Sequence, residues 1–170
     1  MMRNDFCVFI LSYKRADNMK TINTLMKCNY TGKYYIVVGN DDPTVDDYVK
    51  NFGEDKIIIF DKEKYRDLND TCDNFNKMNI VLYARNFCFD IAKKLGYKYF
   101  LQLDDDYTNF RYRFEKDGQF KTCYVREFDE VVDIMIDFLD TTKSHSVAFG
   151  QSGDYIGGKV LNMKTVGDSW

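Results

Sequence analysis

Proline, histidine and tryptophan each occur only once in the 170 residues, and long apolar runs are missing altogether. The apolar segment nearest the amino terminus, residues 6–11, is short, whereas a helix needs about 20 apolar residues to span a bilayer. No small-residue cleavage site follows this segment, so a secretory signal peptide is not expected. We therefore expect a cytoplasmic protein without a transmembrane segment.

The cysteines lack the pattern of a disulfide or zinc framework. They number five, and no two of them have the C-x-x-C spacing, so we predict reduced thiols. An excess of one charge is also missing, because 24 basic residues stand against 27 acidic ones. A strongly basic nucleic-acid-binding domain is therefore disfavoured, although a local basic patch is compatible with this balance.

What the sequence does have is the composition of a folded domain and an alternating pattern of elements. With 45% hydrophobic and 30% charged residues, it is typical of a single globular domain of this length. Short apolar runs predict strands at residues 6–11, 34–38, 57–60, 97–103 and 146–149. Amphipathic segments predict helices between them, most clearly at 80–95 and 127–139. Residues 61–78 are predicted to form a polar connection.

This alternation predicts an α/β fold with a mostly parallel, Rossmann-like sheet and helices on both faces. Asp117-Gly118 lies between two short strand-like segments and predicts a small β-hairpin. Ligands of such sheets bind beyond the carboxyl ends of the strands, where the strand order reverses. Polar groups follow three of the predicted strands, at residues 12–15, 40–42 and 104–106. We predict that they meet at one edge of the sheet.

The most distinctive polar group is the run of three carboxylates, Asp104, Asp105 and Asp106. Like charges packed this closely repel one another unless a cation compensates them, and oxygen ligands suit Mg²⁺ or Mn²⁺. In an extended chain Asp104 and Asp106 point to the same side, so this pair can hold one metal. The alternative is an acidic turn exposed to water.

These aspartates belong to an ordered set of motifs. The set comprises Ser12-Tyr13-Lys14-Arg15, Gly39-Asn40-Asp41-Asp42, Ala84-Arg85-Asn86 and Leu103-Asp104-Asp105-Asp106. In order and spacing, residues 6–110 resemble the core of GT-A glycosyltransferases, which use nucleotide-sugar donors and carry a D-x-D motif. Within that group, residues 12–15 and 103–107 are similar to phage and bacterial enzymes that glycosylate modified nucleobases.

The resemblance implies a site for the diphosphate and the sugar of the donor. Asp104 and Asp106 would bind Mn²⁺ or Mg²⁺, which bridges the diphosphate. Arg85 would neutralise the diphosphate or position the donor sugar. Asp105 would contact the ribose or the sugar. The bland alternative for Arg85 is a charge on the surface of a helix.

The resemblance also implies a site for the nucleoside, with a UDP-sugar as the favoured donor. Ser12, Tyr13 and Arg15 would line the nucleotide, and Asp41 or Asp42 would accept hydrogen bonds from the base. Ordinary turn chemistry is the alternative for each of these residues, because Asp and polar side chains favour turns in any case.

The sequence departs from the family pattern after the acidic cluster, where the chain is shorter than usual and the family's base motif is missing. Residues 1–110 would form the nucleotide-binding part of one domain, and residues 111–170 the acceptor side, in either a minimal enzyme or a fragment. Asp154, which lies among glycines, is the first candidate for the catalytic residue, and Asp168 is the second. The simpler interpretation of both is that they are loop residues.

The acceptor is left open between modified DNA and a glycan. If it is DNA, a basic strip on the predicted hairpin would supply contacts to phosphates. The strip consists of Arg111, Arg113, Lys116 and Lys121. The simpler interpretation is an ordinary solvated hairpin.

Three other functions compete with glycosyl transfer. Asp104-x-Asp106-x-Thr108 also fits the motif of haloacid-dehalogenase-like phosphatases, with Asp104 as the nucleophile. Against it, that motif usually follows the first strand, whereas about 100 residues precede it here. A non-catalytic nucleotide-binding module is the second alternative. A two-metal nuclease is a weaker one, because it needs further carboxylates from other strands.

Overall fold

The computed structural model describes residues 2–68, 77–78 and 80–150. Six strands are defined: β1 (Phe6–Leu11), β2 (Lys33–Gly39), β3 (Ile57–Phe60), β4 (Tyr99–Asp104), β5 (Arg111–Lys116) and β6 (Gln119–Tyr124). The helices are α1 (Lys20–Lys27), α2 (Val45–Phe52), α3 (Lys62–Leu68), α4 (Leu82–Leu95) and α5 (Phe128–Thr142). The prediction of an α/β fold with a small hairpin is confirmed.

The main sheet has the order β3-β2-β1-β4, and all of its strand pairs are parallel. The chain moves outward from β1 through β2 to β3 and then returns to the other side of β1 with β4. The strand order therefore reverses between β1 and β4, where a ligand site is expected at the carboxyl ends. The register places Leu11, the last residue of β1, opposite Asp104.

Strand β1 lies between β2 and β4. Every one of its six residues is apolar and buried, as is expected of a strand that is covered on both faces. On one face, Cys7, Phe9 and Leu11 share a buried cluster with Tyr83 and Cys88 of α4. Gly96 ends α4 in the left-handed conformation (φ 81°), which glycine adopts without steric strain.

The cysteines that the structure describes are free thiols. Burial raises the pKa of the Cys88 thiol to about 12 and also raises that of Cys7. Thiolate formation is therefore suppressed at both positions, and Cys7 and Cys88 serve as small apolar residues of the core.

Two predicted elements are wrong. Residues 62–68 form helix α3 instead of an irregular connection, because Lys62 and Tyr65, three residues apart, bury one face of an otherwise polar segment. Residues 146–149 form no strand; they lie outside both sheets that the described residues form.

By internal contacts the chain divides into two compact units, Met1–Asp129 and Glu130–Trp170. The first contains both sheets. In the described part of the second, Val132 and Ile136 are buried and lie about one helical turn apart on α5. Across the portion of the chain that the structure describes, no helix is both long and apolar enough to span a membrane.

Candidate functional site

A cleft of about 470 Å³ opens at the carboxyl edge of the main sheet. The loops after β1 and β4 and the end of β2 meet there, and helices α3 and α4 each add a basic residue. Of the three polar groups that were predicted to meet, residues 12–15 and 104–106 contribute to the cleft lining, whereas residues 40–42 lie behind it, where Asp41 contacts Lys62 and Asp42 contacts Lys14. The polar and charged side chains that line the cleft are Ser12, Tyr13, Arg15, Lys62, Arg85, Asp104, Asp105 and Asp106.

Asp105 is the buried member of the acidic run, with a side chain only 8% exposed. One carboxylate oxygen accepts a hydrogen bond from Ser12 Oγ at 2.6 Å, and the other accepts one from the Arg15 guanidinium at 2.8 Å. The negative charge of Asp105 raises the pKa of Arg15, so the guanidinium stays protonated. Asp105 therefore fixes Arg15 at the edge of the cleft.

Tyr48 of α2 connects Ser12 to the backbone of Arg15. Its hydroxyl lies 2.7 Å from Ser12 Oγ and accepts a hydrogen bond from the backbone N–H of Arg15 at 2.9 Å. Since the single hydroxyl proton of Ser12 goes to Asp105, Tyr48 must be the donor to Ser12. Burial raises the pKa of Tyr48, which keeps this proton in place. The hydrogen bonds thus form a closed ring through Arg15, Tyr48, Ser12 and Asp105.

Asp104 and Asp106 differ from Asp105, because their side chains are 46% and 60% exposed. Each faces an arginine: Arg85 Nη2 lies 3.2 Å from Asp104, and Arg15 Nη1 lies 3.5 Å from Asp106. The expectation that Asp104 and Asp106 share an orientation that Asp105 does not is consistent with this exposure. Two carboxylates and two guanidinium groups therefore line one opening.

Helix α1 holds the backbone of the acidic run in place. Thr21 is fully buried, and its hydroxyl donates to the carbonyl of Asp104 at 2.6 Å and accepts from the N–H of Tyr107 at 2.9 Å. The backbone N–H of Thr21 donates to the carbonyl of Asp105. Thr24, one turn on, donates to the carbonyl of Tyr107. These contacts hold the chain where the carboxylates leave the sheet.

The donor set at this opening fits a hard divalent cation that also binds a phosphate-bearing ligand. Asp104 and Asp106 offer exposed carboxylate oxygens, and Mg²⁺ typically takes one or two carboxylates and completes its shell with water and phosphate oxygens. Among the residues that the structure describes, no group of three or more His, Cys, Asp or Glu side chains could hold a metal by itself. Asp104 and Asp106 would therefore supply only part of the coordination shell of such a cation.

Asp42 is buried and serves the local backbone. Its carboxylate accepts hydrogen bonds from the N–H of Lys14 at 2.7 Å and from the N–H and hydroxyl of Thr44 at 2.8 and 2.7 Å. It therefore joins the loop after β1 to the loop after β2. Asp41 and Asp42 were both candidates for hydrogen bonding to the nucleobase of the donor. Asp42 instead binds backbone groups of the protein.

Asp41 is paired with Lys62, whose ammonium lies 3.0 and 3.2 Å from its two carboxylate oxygens. Lys62 is only 7% exposed, and its ammonium lies 4.6 Å from the centre of the Tyr13 ring. A Cβ at Gly39 would come within 2.5 Å of Asp41, so the glycine leaves room for this carboxylate. Asp41, Lys62 and Tyr13 thus form one contiguous group at the β2 side of the cleft.

Sequence reasoning missed Lys62, Tyr48 and Thr21. Lys62 and Tyr48 lie in segments whose pattern indicates a polar connection or an ordinary amphipathic helix, and Thr21 is one of many threonines. The only local signal is that Lys62 follows the end of β3 within two residues. Asp154 and Asp168, the candidate catalytic residues, lie outside the described residues.

A parallel sheet with a charged cleft at its switch point defines an α/β domain that binds its ligand beyond the carboxyl ends of the strands. A family model described as TET-Associated Glycosyltransferase matches residues 6–163, which is most of the chain. The chain therefore belongs to this family and is a glycosyltransferase. No curated protein and no solved structure matches it.

Proposed function

We propose that this glycosyltransferase is a metal-dependent enzyme of the GT-A type that transfers a sugar from a nucleotide-sugar donor, with a UDP-sugar favoured. The observation that carries the proposal is the pair of exposed carboxylates, Asp104 and Asp106, facing Arg85 and Arg15 at the switch point of the sheet. A diphosphate needs such a mixed opening, since guanidinium groups bind its oxygens and carboxylates recruit its cation.

The diphosphate and the base of the donor bind at opposite ends of the cleft. Arg15 and Arg85 bind the diphosphate and stabilise the negative charge that develops on it as the sugar leaves. Asp104 and Asp106 would hold Mn²⁺ or Mg²⁺, which would add Lewis-acid stabilisation of that charge. At the other end, Tyr13 presents a ring 39% exposed for stacking on the base, and Asp41 accepts hydrogen bonds from it.

The acceptor we propose is a modified nucleobase in DNA, with a glycan as the alternative. The family's description as TET-associated and the resemblance of residues 12–15 and 103–107 to nucleobase-glycosylating enzymes support it. Glycosyl transfer needs a nucleophile on the acceptor, and the standard DNA bases carry no hydroxyl group on a carbon side arm. A hydroxyl added to the base would supply this nucleophile, with Asp154 or Asp168 as the residue that deprotonates it.

A thermal-shift series tests the donor assignment. Nucleoside diphosphates, screened with and without Mn²⁺, are expected to raise the Tm only when the metal is present. At a hundredfold excess over Kd, binding adds about 2.7 kcal/mol, which corresponds to a rise of about 5–11 °C for a chain of this size. If no nucleotide changes the Tm under either condition, the proposal is wrong.

Turnover is measured on an oligonucleotide that contains a hydroxymethylated pyrimidine, with the unmodified oligonucleotide as the control. Sugar incorporation that requires the hydroxyl group supports the acceptor assignment and excludes a non-catalytic module. The phosphatase alternative predicts a different product, namely inorganic phosphate released from a phosphomonoester through a covalent phosphate on Asp104.

Lys62→Met tests the nucleoside end of the cleft. The substitution keeps the apolar stem but removes the ammonium that pairs with Asp41 and lies against the Tyr13 ring. The Lys62–Tyr13 contact contributes about 0.5–2 kcal/mol and is present without the donor. We therefore expect the Kd of the donor to rise by at most about 2- to 30-fold, because Tyr13 and Asp41 lose the group that positions them. Isothermal titration calorimetry measures the change. Lys64→Met, an exposed position on the same helix, is the matched control, and equal affinities of the two variants would contradict the assignment.

A further inference from the structure

The hairpin of β5 and β6 is a two-stranded ribbon with both faces in solvent. The six residue pairs run from Arg111 opposite Tyr124 to Lys116 opposite Gln119, and residues 111–119 and 121–124 are exposed. Two-stranded ribbons are marginally stable in water on their own. This one is closed at its foot by a backbone hydrogen bond from Val125 to Phe110.

The ribbon is a positive region in an acidic chain. Residues 111–126 contain five basic and two acidic residues, a net charge of +3, whereas the whole chain carries −3. The rest of the molecule is therefore clearly negative, and the positive charge is concentrated on one exposed element. The basic residues are Arg111, Arg113, Lys116, Lys121 and Arg126.

Exposed aromatic rings alternate with these cations. Tyr112, Phe114 and Tyr124 are 40%, 42% and 55% exposed. The pairing register places Tyr124 on the same face as Arg111, whose guanidinium lies 4.7 Å from the ring centre, and places Tyr112 and Phe114 on the opposite face. Both faces of the ribbon thus present flat apolar surface beside positive charge.

A cavity of about 280 Å³ at the foot of the ribbon is also lined by basic and aromatic residues. Its wall includes Lys27 from the end of α1, Arg126 and the ring of Tyr124. The ribbon also begins five residues after Asp106, so the Cα atoms of Asp106 and Arg111 are at most about 18 Å apart. A ligand that follows the ribbon therefore starts near the acidic run.

We infer that the ribbon of β5 and β6 binds single-stranded nucleic acid and delivers the acceptor strand to the cleft. Phosphates pair with the basic residues, and base faces stack on the exposed rings. An unpaired strand fits better than a duplex, because stacked base pairs hide the faces that the rings would contact. Enzymes that modify a base also need it out of the stack. The inference deepens the proposed function and rests on it for the role of the strand.

Fluorescence anisotropy with a labelled 20-nucleotide oligothymidine, measured from 50 to 200 mM KCl, tests the surface. In Arg113→Gln/Lys121→Gln, two phosphate contacts are removed, so the slope of log Kd against log salt is expected to fall by about 1.4, with roughly 10- to 30-fold weaker binding at 100 mM. Lys93→Gln/Lys94→Gln removes the same charge from exposed positions on α4 and should leave both quantities unchanged. Phe114→Ala should weaken binding without changing the slope.

Equal slopes and affinities in the hairpin variant and the α4 control would overturn the inference, and so would binding to a duplex as tight as to the single strand. The failure of the proposed function has a different signature. If the ribbon variants lose DNA binding but wild type transfers no sugar from any donor, the surface stands and the donor proposal fails. If transfer to DNA persists unchanged in the ribbon variants, the donor proposal stands and the surface is wrong.

Discussion

Asp104→Ala and Asp106→Ala are each expected to abolish metal-dependent binding of the donor and to reduce sugar transfer at least about 100-fold. Both carboxylates are about half exposed and each faces an arginine of the cleft. Removing one therefore leaves the protein with a single carboxylate for the cation, while the guanidinium groups stay. The variants should therefore respond to nucleoside diphosphate with Mn²⁺ as weakly as wild type responds to nucleoside diphosphate without metal.

The folded state should be nearly unaffected, because exposed ion pairs contribute at most about 1 kcal/mol to stability. Titration calorimetry with Mn²⁺ and nucleoside diphosphate, together with the Tm, separates loss of the site from loss of the fold. Asp5→Ala is the matched control, since Asp5 precedes β1 and so lies at the opposite edge of the sheet, where it pairs with Arg3. Wild-type metal and nucleotide affinity in both site variants would refute the proposed metal site.

The fold was predictable wherever a strand is apolar along its whole length. Residues 6–11 and 57–60 are continuous apolar runs, and their bounds agree with β1 and β3. Helix α3 was not predictable in the same way, because its buried face consists of Lys62 and Tyr65. A lysine counts as a solvent-exposed residue in any hydrophobic pattern, and its burial is favourable here because the tertiary structure places Asp41 and the Tyr13 ring against its ammonium.

The cleft was predictable from the positions at which polar groups follow strands. The partner of each aspartate within the cleft was not predictable. Sequence places Asp41 beside Asp42 with nothing to distinguish them, and the alternation of side chains sets Asp105 apart from Asp104 and Asp106 without saying which side is buried. In the structure Asp42 holds backbone groups and Asp105 holds Arg15, whereas Asp41 pairs with Lys62. Which carboxylate turns inward depends on partners that lie far away in sequence.

Family membership favours glycosyl transfer over a phosphatase, and strand order agrees. In this sheet Asp104 ends β4, which is the outer strand beside β1 within the described residues. The phosphatase motif usually follows the first strand, whereas three strands precede the one that Asp104 ends.

Asp105→Asn is expected to weaken donor binding without any direct contact between Asp105 and the donor. The resemblance implies a contact with ribose or sugar, but both carboxylate oxygens are engaged by Ser12 and Arg15. Loss of the carboxylate opens the ring of hydrogen bonds through Tyr48 and releases the Arg15 guanidinium from its fixed position. Hydrogen bonds to charged groups contribute about 1.5–3 kcal/mol each, less where the partner is half exposed, as Arg15 is.

We expect the Tm of Asp105→Asn to fall by about 4–12 °C, corresponding to a loss of about 2–3 kcal/mol. A double-mutant cycle with Arg15→Gln then separates the two roles, with the donor Kd as the readout. If Asp105 acts by positioning Arg15, the double variant binds the donor no more weakly than Arg15→Gln alone, because the residue being positioned is already gone. Additive losses in the double variant would instead assign Asp105 a contact of its own with the donor. Ser12→Ala leaves the ion pair between Asp105 and Arg15 intact, so this variant should show the loss of stability without the loss of donor affinity.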